Sequence, residues 1–198
     1  VVTGGTISSR LDYKTGGVSS QFRSEDLVLA IPEIQELCEV VPVPLLNKFS
    51  EDLLDKDWIL LVDKIEELVK EGIDGIVVTE GTDVMHYSSA CLSFLLEELG
   101  VPVVFVAAQR SSDRPSADTA YNLIGAISFI VETQKAGVFV AMHNTSDDKQ
   151  IAIHLGTRVR KMHTSRRDAF QSINCLPIAL VNLELLGGGI HSKSVLFN

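Results

Sequence analysis

A threonine hydroxyl becomes a useful nucleophile when a neighbouring base takes its proton, and a lysine can be that base once it is removed from water. Two threonine-bearing turns in this chain suit such chemistry. Thr3-Gly4-Gly5-Thr6-Ile7 follows an apolar start and turns sharply, with glycines that let a ligand approach the backbone closely. Taken alone it is equally a plain tight turn. Glu80-Gly81-Thr82-Asp83 lies between an apolar run and a helical one. Thr82 or Asp83 could simply cap that helix, whose N-terminus would also offer N–H groups and positive potential to a developing oxyanion. Lys161 sits in Arg158-Val159-Arg160-Lys161-Met162-His163, with Arg166 and Arg167 close behind. By composition this is a solvated basic stretch. Sunk beside Thr82, the lysine could instead take the threonine proton, leaving Asp83 to hold a substrate ammonium group.

Other chemistries find less support. The five histidines, His86, His143, His154, His163 and His191, stand at no recognisable zinc spacing, so no metal is expected. There is no Gly-x-Ser-x-Gly elbow for a serine hydrolase, no Gly-x-x-x-x-Gly-Lys-Ser/Thr phosphate loop and no dinucleotide fingerprint. A net charge of -9 argues against a nucleic-acid surface on these residues. Cys38, Cys91 and Cys175 are odd in number and far apart, which fits buried, reduced thiols in a cytoplasmic protein. No apolar run approaches the length of a membrane span.

These residues must be held by a framework, and the pattern supplies one. Strands are expected at 40–46, 75–79, 101–107 and 137–143, with less regular ones at 151–154 and 178–183. Helical periods fall at 25–31, 57–70, 83–99 and 117–133. Ser24 is placed to cap the first helix, and Gly72 and Gly100 to end two others in a left-handed conformation. Apolar strands alternating with amphipathic helices mean an α/β fold, a mostly parallel sheet with helices on both faces. In such sheets ligands gather at the carboxyl ends of the strands. Thr6, Thr82, the Gln109–Arg110 pair and His143 each follow a strand run onto that rim. Val1-Val2, running straight into the glycine turn, reads as the end of a strand whose beginning is cut away. The organisation is one catalytic domain over 1–184 and an atypical tail or truncated linker over 185–198.

Taken together, the motifs resemble the type I/II asparaginase superfamily. Thr3-Gly4-Gly5-Thr6-Ile7 is similar to its first signature and Glu80-Gly81-Thr82-Asp83 to its second, while the stretch from 159 to 170 resembles the segment carrying the catalytic lysine. Ser50 and Glu51 resemble the loop that binds the substrate's α-carboxylate and α-amino groups. The stretches at 9–16, 108–118 (AQRSSDRPSAD) and 160–174 (RKMHTSRRDAFQSIN) resemble the branch of D subunits of archaeal glutamyl-tRNA(Gln) amidotransferases. The resemblance implies a flavodoxin-like domain and a cytoplasmic homodimer. It also implies a glutaminase that feeds ammonia to an E subunit, which would use ATP and Mg and contact the tRNA, with no cofactor in this chain. Thr6 is then the nucleophile and Tyr13 its activating partner, with Thr82 the alternative nucleophile, Lys161 the base and Asp83 beside it. Gly5, Ser50, Glu51, Gly81 and Gln109 would bind substrate. Val84 departs from the family, which commonly has a hydroxyl residue there. A small N-terminal domain and the C-terminal domain that completes the pocket across a dimer are expected to be missing from this piece. Three alternatives stand beside this reading: a free-standing asparaginase or glutaminase, a non-catalytic binding module on the same fold, and a nucleotide-binding α/β domain.

Overall fold

The structure is a computed structural model describing residues 1–4, 9–11, 18–20, 29–110 and 117–198, with 9–11 and 18–20 as strand backbone. The strands are β1 (Val2–Gly4), β2 (Ser9–Leu11), β3 (Val18–Ser20), β4 (Pro44–Lys48), β5 (Ile76–Thr79), β6 (Pro102–Val106), β7 (Gly137–His143), β8 (Gln150–Leu155), β9 (Val159–Lys161), β10 (Phe170–Ser172), β11 (Ala179–Leu186) and β12 (Gly189–Phe197). The helices are α1 (Glu33–Leu37), α2 (Asp55–Lys70), α3 (Met85–Leu95) and α4 (Thr119–Thr133), with a short 3-10 turn at Ser50–Asp52.

One eight-stranded sheet organises the chain in the order β12-β11-β8-β7-β6-β5-β1-β4. From β4 to β7 every pairing is parallel; from β7 to β12 every pairing is antiparallel. The strand β6 shows why the sheet must be covered twice. All five of its residues are buried: Val104 and Val106 pack with Ile34 of α1 and the apolar face of α4, while Val103 and Phe105 pack with Leu61 and Ile65 of α2 and Met85 and Leu92 of α3. A strand buried on both faces needs unbroken apolar sequence rather than alternation. Fully burying each such side chain contributes about 1.5–3 kcal/mol.

The expected α/β class, with helices on both faces of the sheet, is the class found. Several details differ. The helix expected over 83–99 is confined to Met85–Leu95, because residues 80–83 are held in the loop by contacts described below, and the chain leaves helical angles at Leu96 (φ -113°, ψ 31°). Gly72 takes the expected left-handed conformation (φ +92°), whereas Gly100 lies beyond the end of α3 and has no positive φ. Residues 185–198 complete β11 and form β12, an edge hairpin through Gly187 and Gly188 (φ +60° and +93°). Cys175 is exposed and Cys38 and Cys91 half-buried, rather than all three being interior. Most of the expected 25–31 helix, with Ser24, lies outside the described residues.

Candidate active site

The parallel strands β5 and β6 deliver their following loops to one edge of the sheet, and the site is built there. After Thr79 the chain turns through Glu80, Gly81, Thr82 and Asp83 into α3. Gly81 is buried against the 3-10 turn: a Cβ at this position would stand 2.7 Å from Ser50 Oγ and 2.8 Å from Ser50 Cβ. Only glycine permits that approach. The same Ser50 Oγ accepts the backbone amide of Asp83 at 3.2 Å, which fixes the two loops together. Ser50 itself is placed from behind. Lys48, ending β4, grips both carboxylate oxygens of Asp57 in α2 at 2.9 and 2.7 Å, and Asp57 also accepts the Leu54 amide at 2.8 Å. The Lys48 hydrogen bonds and then that amide hold the Asp57 carboxyl below its ordinary pKa. Gly4, with φ +117°, ends β1 tightly against the same Lys48 backbone.

Lys161 reaches the rim from a separate two-stranded sheet. It ends β9, which pairs with β10 in a short antiparallel hairpin. Its Nζ lies 2.7 Å from Thr82 Oγ1 and 2.8 Å from Asp83 Oδ1. The lysine side chain is 9% exposed, while that of Asp83 is 63% exposed. An amine is thus sunk beside a buried hydroxyl with a solvent-facing carboxylate at its shoulder. The neighbouring Arg160 lies over the Tyr87 ring of α3, 5.8 Å from its centroid, pinning the hairpin to the helix that follows Thr82. In that helix His86 is buried, and its pKa is lowered by burial and then by the charges of Arg160 and Lys161.

A buried acid stands beneath the loop. Glu80 is 1% exposed, and burial raises its pKa to about 8. It accepts the Ser88 hydroxyl at 2.8 Å, and Ser88 accepts Trp58 Nε1–H at 2.9 Å, so the Thr82 loop is tied through α3 to α2. Glu80 and Asp118 lie within the quoted motifs without a role assigned to them, and the motifs do not include Ser88, Asn122 and Asp148; buried polar residues within apolar helical runs, such as Ser88 and Asn122, are the signal that could have found them.

Of the residues singled out from sequence, Thr82, Asp83, Lys161, Gly81 and Ser50 are thus brought together. Glu51 is exposed, and Ser50 Oγ donates to its carboxylate at 3.4 Å. Gln109 lies on the next loop of the rim, its amide N–H donated to Asp118 at 3.0–3.1 Å, and no described hydrogen bond joins it to Thr82 or Lys161. Gly5, Thr6 and Tyr13 lie outside the described residues. Among the described residues no His, Cys, Asp or Glu group could hold a metal ion, and no helix is long and apolar enough to cross a membrane.

Residues 1–188 match the family model for the asparaginase N-terminal domain. The chain belongs to the asparaginase family. Its relatives include a protein of Pyrococcus horikoshii named as the D subunit of glutamyl-tRNA(Gln) amidotransferase, 51% identical over 179 residues, or 90% of this chain and 41% of that protein. The protein of the same name from Methanococcus vannielii is 48% identical over 180 residues, 91% of this chain and 42% of that protein. The chain thus spans less than half the length of these curated relatives. Among solved structures, the probable cytoplasmic L-asparaginase of Campylobacter jejuni superposes with a TM-score of 0.78 at 30% identity, covering 98% of this chain and 56% of that one. The thermostable L-asparaginase of Thermococcus kodakarensis gives 0.74 at 28% identity, covering all of this chain and 58% of that one.

Proposed function

We propose that this asparaginase-family chain is the amidohydrolase part of a tRNA-dependent amidotransferase, releasing ammonia from glutamine for the conversion of Glu-tRNA(Gln) to Gln-tRNA(Gln). The observation that carries the reading is the buried Lys161–Thr82 contact at 2.7 Å, with Asp83 beside it, at the carboxyl edge of the parallel strands. Identity of about half to proteins named as the amidotransferase D subunit supports the choice of acceptor.

In this reading a threonine hydroxyl attacks the carboxamide carbon. Thr6, activated by Tyr13, is one nucleophile; Thr82 is the other, and Lys161 Nζ lies within direct proton-transfer range of it. The hydroxyl proton passes to the base as the C–O bond forms and the carbonyl oxygen becomes an oxyanion. The proton is then handed to the leaving nitrogen, the C–N bond breaks, and ammonia departs from a threonyl ester. Water hydrolyses the ester to glutamate and restores the hydroxyl. Asp83, solvent-facing, is placed to hold the substrate's ammonium, while Ser50, Glu51, Gly81, Gly5 and Gln109 shape the substrate pocket. ATP and Mg belong with the partner E subunit, which activates the tRNA-bound glutamate and contacts the tRNA. The protein works as a homodimer in the cytoplasm.

A second reading, a free-standing L-asparaginase, is favoured by the L-asparaginase structures that superpose on this chain. One experiment separates them: ammonia release from glutamine and asparagine by the full-length protein, with and without the E subunit and charged tRNA, beside Lys161→Ala. Glutamine turnover that rises with partner and tRNA, and falls by two orders of magnitude or so in the variant, is the expected result. Fast asparagine turnover without a partner establishes the second reading. Undiminished turnover in Lys161→Ala removes the base assigned to both.

A further inference from the structure

The rim carries a second polar assembly, buried at its centre and joined to the Thr82–Lys161 pair by no described hydrogen bond. Its centre is His143, the last residue of β7, which is fully buried. Its Nδ1 lies 2.7 Å from Asn122 Oδ1 of α4, and its Nε2 lies 3.1 Å from Asp148 Oδ1 in the loop between β7 and β8. Asn122 sets the direction of the first contact. It donates both amide hydrogens, one to the Ala107 carbonyl at 3.0 Å and one to Asp118 Oδ2 at 3.2 Å. Its oxygen therefore faces the imidazole as an acceptor and His143 Nδ1 carries a hydrogen; because the Asp148 carboxylate is also an acceptor, the Nε2 contact is a hydrogen bond when Nε2 carries a hydrogen too, in the imidazolium.

Both ends of this assembly grip loops that border the site. On one side Asp118, fully buried at the start of α4, caps no backbone amide of its own helix and instead accepts the amides of Gln109 and Arg110 at 3.0–3.1 Å. On the other side Asp148 pairs with the Arg167 guanidinium. Arg167 belongs to the turn that closes the β9–β10 hairpin, and Lys161 is the last residue of β9. That turn is braced internally: Met162 N donates to Ala169 O, and Arg166 pairs with Asp168 through two hydrogen bonds. A pull on Arg167 is thus transmitted to the lysine. Buried charged and polar groups are a weak source of net stability compared with apolar packing of the same volume. Their use here is better explained by the geometry they impose.

We infer that His143 is a positioning residue for Lys161. Through Asp148 and Arg167 it sets where the lysine hairpin sits against Thr82, and through Asn122 and Asp118 it ties that hairpin to the loop leaving β6. The inference rests on the amide-hydrolysis reading of the Thr82 site.

The test uses the full-length protein with His143→Gln, Asp148→Asn, Arg167→Met, the Asp148→Asn/Arg167→Met double variant, and Arg167→Lys, which keeps a cation opposite Asp148. Misplacing the base by a fraction of an ångström should lower kcat about tenfold to a hundredfold with KM little changed. The double variant should be no slower than the slower single one, because a relay is broken once. Arg167→Lys should recover most of the rate. Unchanged kcat in His143→Gln, or in Asp148→Asn and Arg167→Met, or additive losses that follow the loss of folded protein in thermal melts, would overturn the inference.

A substrate-free measurement keeps this distinct from the hydrolysis reading. Labelling of Lys161 by an amine-reactive ester, measured by peptide mass spectrometry relative to Lys70, should rise several-fold in His143→Gln, Asp148→Asn and Arg167→Met as the hairpin loosens. Unchanged labelling overturns the positioning role whatever the turnover. Raised labelling in a protein that hydrolyses neither amide upholds the positioning role and removes the hydrolysis reading instead.

Discussion

The contact between Gly81 and Ser50 shows how little room a single residue has at this site. Adding one methyl at Gly81 places it within 2.7 Å of Ser50 Oγ, so either the 3-10 turn or the Thr82 loop must shift. Overpacking of this kind costs about 1–3 kcal/mol. Gly81→Ala should therefore lower the urea midpoint and raise KM for the amide more than it lowers kcat, because the displaced residue, Ser50, is assigned to substrate rather than to proton transfer. A variant with wild-type KM would show that Ser50 takes no part in binding. This is also the scale at which the sequence was most legible. The turn Glu80-Gly81-Thr82-Asp83 and the basic run around Lys161 could be singled out because threonine, lysine and glycine are chemically distinctive residue types. What could not be read was the direction of Asp118. A carboxylate at a helix start ordinarily caps its own helix, but this one serves the amides of Gln109 and Arg110.

At the scale of elements, α4 meets the sheet at Gly125, where a Cβ would lie 2.6 Å from Ile151 Cγ1 of β8. Two effects of Gly125→Ala compete. Alanine is the better helix former by about 1 kcal/mol, while the forced separation of helix and strand costs about 1–3 kcal/mol. The clash is the larger, so the variant should be less stable by up to about 2 kcal/mol in chemical denaturation; a gain would show that α4 can slide. The strand at 137–143 was legible to the residue, because a fully apolar run between Gly137 and a polar loop has one reading. The hairpin of β9 and β10 was not. Its strands are three residues each and polar outside, and their place is set by side-chain contacts such as Arg160 on Tyr87 and His154 with Ser172 (Nδ1 to Oγ 2.8 Å), which no local pattern encodes. The edge strand β12 was missed for a related reason: glycines and alternating polar residues look like a tail until a partner strand is available.

Across the whole molecule, buried titratable groups set the pH range of stability. Glu80 keeps its proton in the folded state up to about 8 but would release it near 4.5 when unfolded. The unfolded chain then binds fewer protons between those values, so this group's contribution falls as pH rises, by up to about 1.4 kcal/mol per pH unit. His154 works in the other direction. Burial lowers its pKa from 6.5 to about 4, so the unfolded chain takes the proton first and stability falls as pH drops through that window. The two slopes oppose each other below about pH 6.5; above it Glu80 is opposed by the Val1 amino group, whose pKa burial lowers from 8.0 to about 5 and whose contribution therefore rises with pH. Glu80→Gln should accordingly shift the slope of the urea midpoint between about pH 6.5 and 8 towards greater stability at higher pH, while leaving the acid side in place. A slope unchanged in Glu80→Gln would remove this assignment. The sheet's change from parallel to antiparallel at β7 has a further effect on the whole chain, since it lets a late hairpin return to an edge laid down much earlier. Thr82 and Lys161 are 79 positions apart. On a ribosome adding about 5–20 residues per second, the hydroxyl is made several seconds before its amine, and the intervening strands must pair before the two can meet. A nascent or partly degraded chain thus holds every residue of the Thr82 loop and still lacks the pair, so the site comes into being only with the last third of the fold.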